Sequence, residues 1–260
     1  MRLGERILLR LSRQPGSPEY AGATLNYTVS NSLDFPIKTI PQFLDQIKDK
    51  LILDYGCGPG YQAVALGKRG AKAVVGIDIN PKWLERARAL ARENGCDDRV
   101  SFSEAEGFVA DSSNREKFDI VLCCSSFEHF ADPAKELATM KLMIHPRGKI
   151  LLTFAEPWLS PRGSHMDNFC RVPYINVLFS EKTVMAVRSR FKDDGATRYE
   201  DIVSGLNRMT LAKFERIIRD SGLKVEHQNF FATKNLPLVK HIPFMREFLV
   251  SAVTCILVKK

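Results

Sequence analysis

A single short stretch gathers most of the residues that could hold a ligand. In Asp54-Tyr-Gly56-Cys-Gly58-Pro-Gly60, glycine alternates with other residues directly after an apolar run. Backbone can therefore approach a bound molecule closely, and the helix that follows can aim its N-terminal amides at it. A dinucleotide fingerprint would need a sixth-position glycine, where this chain has Tyr61, so hydride chemistry on a nicotinamide is disfavoured. Two histidines could move a proton near neutral pH: His129 in CCSSFEHF and His165 in SPRGSHMDNF, with Asp167 placed to orient or replace the latter. His165 is the leading candidate base; its alternative roles are to bind a polar substrate group or to sit on the surface. For His129, bracing its own loop is the stronger reading. The six cysteines are scattered without a CxxC pair or a spaced histidine partner, which argues against a zinc site or a disulfide framework and for a reducing cytosol. No cluster of carboxylates and histidines calls for a metal.

The elements that must position these residues are spelled by alternating β-rich and helical runs between residues 50 and 155. Strands are expected at Lys50 to Tyr55, Ala73 to Ile79, Arg99 to Glu104, Lys117 to Cys123 and Lys149 to Ala155, the last fed by a Pro146-Arg147-Gly148 turn. Helices follow the glycine turn (Tyr61 to Lys68) and the second strand, where Asn80 reads as an N-cap with Pro81 at the first helical position. A further helix starts at Asp132-Pro133 with Leu137, Met140 and Ile144 inward. After Ala155 the rhythm breaks, and residues 156–206 read as an added lobe or lid with a helix near Glu181 to Phe191, since connections this long are otherwise uncommon. Thr210 then caps a helix ended by Gly222, and strands follow at Lys224 to Phe231 and Ser251 to Val258.

The turn D-x-G-x-G-x-G after strand one, the acidic Asp78 closing strand two and the FDIV strand four resemble the class I S-adenosylmethionine-dependent methyltransferases, type 11-like. The resemblance is close over residues 50–155 and weaker from Ser204 onward. It implies an α/β fold, a Rossmann-like, doubly wound, mostly parallel seven-stranded sheet of order 3-2-1-4-5-7-6 with the inserted lobe after strand five. It also implies S-adenosylmethionine as cofactor. Residues 50–155 would be the binding core, 1–49 an N-terminal helical cap, 156–206 the substrate lobe and 207–260 the completion of the core. Gly56, Cys57, Gly58 and Gly60 would surround the methionine part with Asp54 nearby, and Cys57 would be inert packing. Asp78 would take both ribose hydroxyls, because a carboxylate offers two acceptor oxygens to two adjacent donors, and Ile79 would pack beside the adenine. Glu106, with Gly107, would accept from the adenine amino group, with Glu104 as its rival. Cys124 and Ser125 would line the methionine end, and Tyr20 would contact the methionine carboxylate or the substrate. The Asn-Pro-Pro-Tyr motif is missing, which disfavours methylation of amide or adenine nitrogen.

The acceptor is expected to be a small molecule, a glycan or a lipid precursor, with oxygen mildly favoured and S-adenosylhomocysteine released. Trp158, His165, Tyr174 and Arg171 are its candidate contacts; Tyr174 with Asn176 and Phe179 could equally be lobe core, and Arg171, Arg188, Arg190 and Arg198 could meet an anion or simply be solvated. Asn207 and Arg208 read as structural. The net charge of +8 sits mostly in residues 157–260, which carry 17 Lys or Arg against 10 Asp or Glu. That excess keeps a nucleic-acid-modifying enzyme open as an alternative, unlikely for want of a nucleic-acid-binding motif, and a non-catalytic cofactor-binding subunit is the other. With 45% apolar residues and no apolar stretch near the roughly 20 residues a spanning helix needs, the chain reads as globular, without a transmembrane segment, and cytoplasmic. The N-terminal MRLGERILLRLSR has amphipathic helical spacing, packed on the domain or over the site, with a membrane surface as the alternative.

Overall fold

Strands β1 (Leu51–Tyr55), β2 (Ala73–Asp78), β3 (Val100–Glu104), β4 (Phe118–Cys124), β5 (Ile144–Ala155), β6 (Leu223–Ala232) and β7 (Val250–Lys259) make one sheet. Its order is 3-2-1-4-5-7-6, parallel through the first five strands, with β7 antiparallel to both β5 and β6, as expected. This computed structural model describes residues 1–12, 27–167, 169–202, 205–232 and 242–260. Tyr20, expected beside the cofactor, lies outside them. Among the described residues no helix is long and apolar enough to cross a membrane.

The strands bury both faces because alternate residues point to opposite sides. On one side Leu53, Val121, Cys123, Leu152 and Phe154 pack with Leu137 and Met140 of the helix Pro133–Met143 and with Leu211, Phe214 and Ile218 of the helix Leu211–Asp220. On the other, Ile52, Val74, Ile120 and Leu122 meet the helix Tyr61–Lys68 and Leu84, Ala87 and Ala91 of the helix Pro81–Glu93. The caps follow the residue types: Asn80 Oδ1 accepts from the Lys82 and Trp83 amides, and Thr210 Oγ1 from the Lys213 amide.

Strand five differs from expectation. It begins at Ile144 rather than Lys149, and Pro146-Arg147-Gly148 is absorbed as an irregularity inside it: Phe118 pairs with Ile144, but Ile120 pairs with Lys149. A proline and a glycine are tolerated there because the extra residues leave the ladder. A Cβ on Gly148 would lie 2.9 Å from the Phe118 carbonyl oxygen, so the close approach needs glycine.

The segment after β5 has a core of its own, in which Met166, Phe169, Ile175, Val184, Val187 and Tyr199 surround Leu8. It contains the helices Ile175–Leu178 and Glu181–Arg188. The N-terminal helix α1 (Leu3–Leu11) packs on the second of these, and Leu8, fully buried, contributes about 2–3 kcal/mol through its side chain. Arg188, 3% exposed, holds the Asp194 carboxylate with two bonds of 2.7 and 2.6 Å, so the anion its guanidinium meets belongs to the lobe itself.

Candidate active site

The glycine turn is a tightly braced loop at the carboxyl ends of β1 and β2, the side of an open parallel sheet where ligands sit. The Gly56 and Cys57 amides both donate to the Ile77 carbonyl at 2.9 Å, and Gly60 closes the turn on the Cys57 carbonyl at 3.0 Å. All three glycines have positive φ. Two of them also lack room for a side chain: a Cβ on Gly56 would lie 2.9 Å from Ser126, and one on Gly60 would lie 2.7 Å from the Ala87 Cβ. Gly58 is different, because a Cβ there would meet only Trp83, at an ordinary contact distance of 3.8 Å, so its backbone is not crowded. Cys57 is buried and its thiol is pushed up by burial, consistent with an inert packing group.

Two carboxylates stand behind this turn. Asp78 accepts from the Gly58 amide at 2.8 Å through Oδ2 and from the Asn80 amide at 2.9 Å through Oδ1, which fixes the carboxylate plane while leaving each oxygen a second lone pair. Asp54 is 2% exposed, lies near the Ala63 amide, and has its Oδ2 buried with no partner. Burial, followed by the nearby Asp78 charge, pushes its carboxyl up to about 7. A buried acceptor with no donor is costly unless a ligand supplies one. Immediately after Asp78, Ile79 is 86% exposed, an unusual place for a large aliphatic side chain. Glu106 and Gly107 lie on the first turn of the short helix Ala105–Ala110 that follows β3; both are exposed, and a Cβ on Gly107 would meet nothing within 4 Å.

The end of β4 supplies the second half. Ser125 takes positive φ, and Ser126 Oγ donates to the Gly56 carbonyl at 2.9 Å, tying this loop to the glycine turn. Cys124 is partly buried and its thiol, raised to about 11 by burial, stays protonated at neutral pH. The hydroxyl of Tyr27 lies near Ser125, Cys124 and Glu128; burial and the latter two groups raise it. Glu128 is 3% exposed, with Oε1 accepting weakly from the Ala155 amide at 3.4 Å and Oε2 buried without a partner. Its carboxyl is raised, first by burial.

The structure brings the two candidate histidines together. The rings of His129 and His165 meet edge to face with centroids 5.4 Å apart. His129 Nδ1 lies 2.7 Å from the Gly205 carbonyl and His165 Nε2 lies 3.2 Å from the Glu156 carbonyl. Carbonyls only accept, so each of these nitrogens carries a proton, which turns His165 Nδ1, on a ring that burial keeps neutral, into an acceptor. Burial, with the charge His129 could carry, pushes His165 down to about 4, and its backbone sits at φ 54°. Asp167 pairs with Arg162 at 3.2 Å; the Glu156 carbonyl is what orients His165.

The other expected substrate contacts are more dispersed. Trp158 packs edge to face on Tyr199 at 4.8 Å, with the Arg208 guanidinium 5.6 Å above its ring. Tyr174 donates its hydroxyl to the Phe248 carbonyl at 3.0 Å, so its polar group serves the fold, and Arg171 is exposed. Asn207 does more than its sequence position signals: Nδ2 donates to the Phe127 and Phe130 carbonyls, both at 2.9 Å, and its amide donates to the Glu128 carbonyl. It clamps the loop that carries His129. No sequence signal marks Ser126 or Asn207 for these tasks, because each acts on chain distant in sequence. Among the described residues no group of three or more His, Cys, Asp or Glu gathers so as to hold a metal ion.

These features fit an adenosyl-methionine compound: an orphaned buried carboxylate oxygen, an uncrowded backbone at Gly58, a carboxylate with spare lone pairs at Asp78, and an exposed aliphatic side chain beside it. The comparisons with known proteins agree. A family model described as a methyltransferase domain matches residues 47–205. The ubiquinone biosynthesis O-methyltransferase of Actinobacillus pleuropneumoniae is 34% identical over 116 residues, 44% of this chain and 49% of that protein. The ribosomal protein L11 methyltransferase of Pasteurella multocida is 33% identical over 162 residues, 59% of this chain and 52% of that protein. The chain thus matches about half the length of these curated relatives. Among solved structures, an S-adenosylmethionine-dependent methyltransferase from Mesorhizobium loti aligns with TM-score 0.56 at 16% identity, over 88% of this chain and 99% of that one. A magnesium protoporphyrin IX methyltransferase from Synechocystis PCC 6803, with SAH bound, aligns with TM-score 0.50 at 15% identity, over 89% and 82% of the two chains. The matched domain covers more than half of the sequence and the strand order is the one the resemblance implies, so this chain belongs to the class I S-adenosylmethionine-dependent methyltransferases.

Proposed function

We propose that this methyltransferase methylates a hydroxyl oxygen on a small molecule, a glycan or a lipid precursor, with His165 as the group that removes the hydroxyl proton. The observation that carries this reading is the His129–His165 pair, two imidazole rings 5.4 Å apart on the segments that follow β4 and β5. S-adenosylmethionine, when bound, supplies a methyl carbon made electrophilic by the positive sulfur, so few protein groups are required. Asp78 would hold the ribose hydroxyls, Ile79 would cover the adenine, and the Gly56 and Gly58 backbone with Asp54 would receive the methionine part; Glu106 with Gly107, and Cys124 with Ser125, would close the two ends. Trp158 and Arg171 remain the proposed acceptor contacts.

His165 is unprotonated throughout the neutral range, so Nδ1 is ready to accept. A conjugate acid near 4 makes it a feeble base toward a free alcohol. It is strong enough once the oxygen has begun to bond to carbon, because the hydroxyl proton of an oxygen gaining a third bond is far more acidic than an imidazolium. The protein's main contribution is then placement and exclusion of water. The match to ubiquinone O-methyltransferases supports an oxygen acceptor, and the six unpaired cysteines support a reducing compartment such as the cytoplasm.

The test is His165→Ala, assayed by turnover on a panel of phenolic, glycosidic and lipid-linked hydroxyl acceptors together with titration of S-adenosylhomocysteine. Turnover slowed by about two orders of magnitude, with unchanged cofactor affinity, is expected for a lost general base. Wild-type turnover in the variant removes His165 from this role, and methylation of a protein but of none of the small acceptors would replace the acceptor class.

A further inference from the structure

The helix Leu3–Leu11 buries one side against the lobe and leaves the other uncovered by the described residues. Leu8 is fully buried, whereas Leu3, Ile7 and Leu11 are 72%, 44% and 51% exposed. At 100° per residue these three fall in one stripe about 80° wide, and Arg2, Arg6 and Arg10, all exposed, fall in a second stripe directly beside it. Glu5 lies toward the packed side and bonds the Arg2 amide. The apolar surface continues onto the neighbouring chain. A Cβ at Gly4 would sit 3.5 Å from Thr183 and 3.9 Å from Phe179, and the two residues before Phe179, Val177 and Leu178, are 48% and 65% exposed. Tyr174, at the start of that same turn, is bonded to the Phe248 carbonyl of the helix Pro243–Leu249, where Phe244 is 76% exposed.

We propose that this face is a docking surface for an anionic lipid bilayer. It goes beyond the methyl-transfer reading and does not depend on it. The spacing is that of a helix lying in an interface, with aliphatic side chains entering the acyl boundary and arginines reaching the headgroups from its edge. Charge decides the occupant. A second copy of the chain placed symmetrically on this face would set one row of three arginines against another, whereas anionic headgroups complement the row. A nine-residue helix cannot span a bilayer, so the contact is peripheral.

Flotation of the full chain with vesicles of phosphatidylcholine and phosphatidylglycerol, against phosphatidylcholine alone, tests the proposal. Binding to the anionic vesicles that weakens with added salt is expected, at about fivefold in affinity per arginine removed, so that Arg6→Gln/Arg10→Gln weakens it about 25-fold at low salt. Ile7→Asp/Leu11→Asp changes only exposed side chains and should abolish flotation while leaving the thermal unfolding midpoint and S-adenosylhomocysteine affinity as in the wild type. Absence of flotation with anionic vesicles, or flotation indifferent to both double variants, overturns the proposal. So does a dimer, seen by light scattering, that Ile7→Asp/Leu11→Asp dissociates in a protein that ignores vesicles.

Discussion

Asp54 gives the sharpest quantitative prediction, because its carboxyl is buried, lies close to Asp78 and keeps an oxygen without a partner. Its value of about 7 in the folded chain compares with an ordinary 3.8. Between these two values the folded protein holds a proton that the unfolded chain has released, so stability falls as pH rises, by about 1.4 kcal/mol per pH unit from this group, and levels off above 7. Asp54→Asn keeps the shape but removes the titration. Relative to wild type, the variant should therefore gain about 2.5 kcal/mol between pH 5 and pH 8. His165 acts in the opposite sense: with its folded value near 4, stability rises with pH from there up to the ordinary histidine range. Subtracting the variant's curve from the wild-type curve cancels that contribution, which is common to both proteins. Urea unfolding at half-unit pH steps is the assay. A stability difference that stays constant from pH 5 to 8 would refute the reasoning, as would an unchanged affinity for S-adenosylhomocysteine, since the same unpaired oxygen is what would receive a donor from the ligand.

Three further outcomes follow from the geometry. Because burial holds His165 near 4, this ring should not titrate between pH 8 and about 5, so the turnover profile at saturating cofactor should contain no inflection in that range that His165→Ala removes; one that it does remove would mean that the ring is solvated. Asp78→Asn sets an amide NH2 against the Gly58 or the Asn80 amide and removes a charged acceptor from the ribose position; titration should show S-adenosylhomocysteine affinity at least tenfold weaker, a loss of about 1.5–3 kcal/mol. Gly60→Ala places a Cβ 2.7 Å from the Ala87 Cβ at φ 85°, and thermal unfolding should report a loss of about 2–4 kcal/mol.

The core of the fold was legible because its signals are local. Apolar alternation marks the strands, Asn80-Pro81 marks a helix start, and the glycine turn marks where backbone must bend at positive φ. The start of β5 was hidden for the opposite reason. Pro146 and Gly148 are turn residues by local chemistry, and only pairing with Phe118 draws Ile144 into the ladder. In the lobe, Arg188 and Tyr174 carry groups suited to a substrate, yet Asp194 and the Phe248 carbonyl occupy them. Those partners lie 6 and 74 residues away, beyond the reach of any pattern in the sequence. The positions of His129 and His165 were readable as candidates, but their contact was not, since it is made by two separate loops.

That contact depends on three parts of the chain being folded together. His129 is fixed by the Gly205 carbonyl, and a side chain at 205 would press on the His129 carbonyl at 3.1 Å, so glycine is required where the lobe returns to the core. His165 is fixed by Glu156, the first residue beyond β5. Asn207 locks the β4 loop from the far side of the lobe. Two charged rings at this separation would repel one another, so charge on His129 disfavours charge on His165. Passage of a proton from His165 Nδ1 to His129 Nε2 would return His165 to its neutral form. If that relay operates, His129→Gln should lower kcat without altering cofactor affinity, and the effect should vanish in a His165→Ala background. Equal losses from His129→Gln in both backgrounds would assign His129 to bracing the loop.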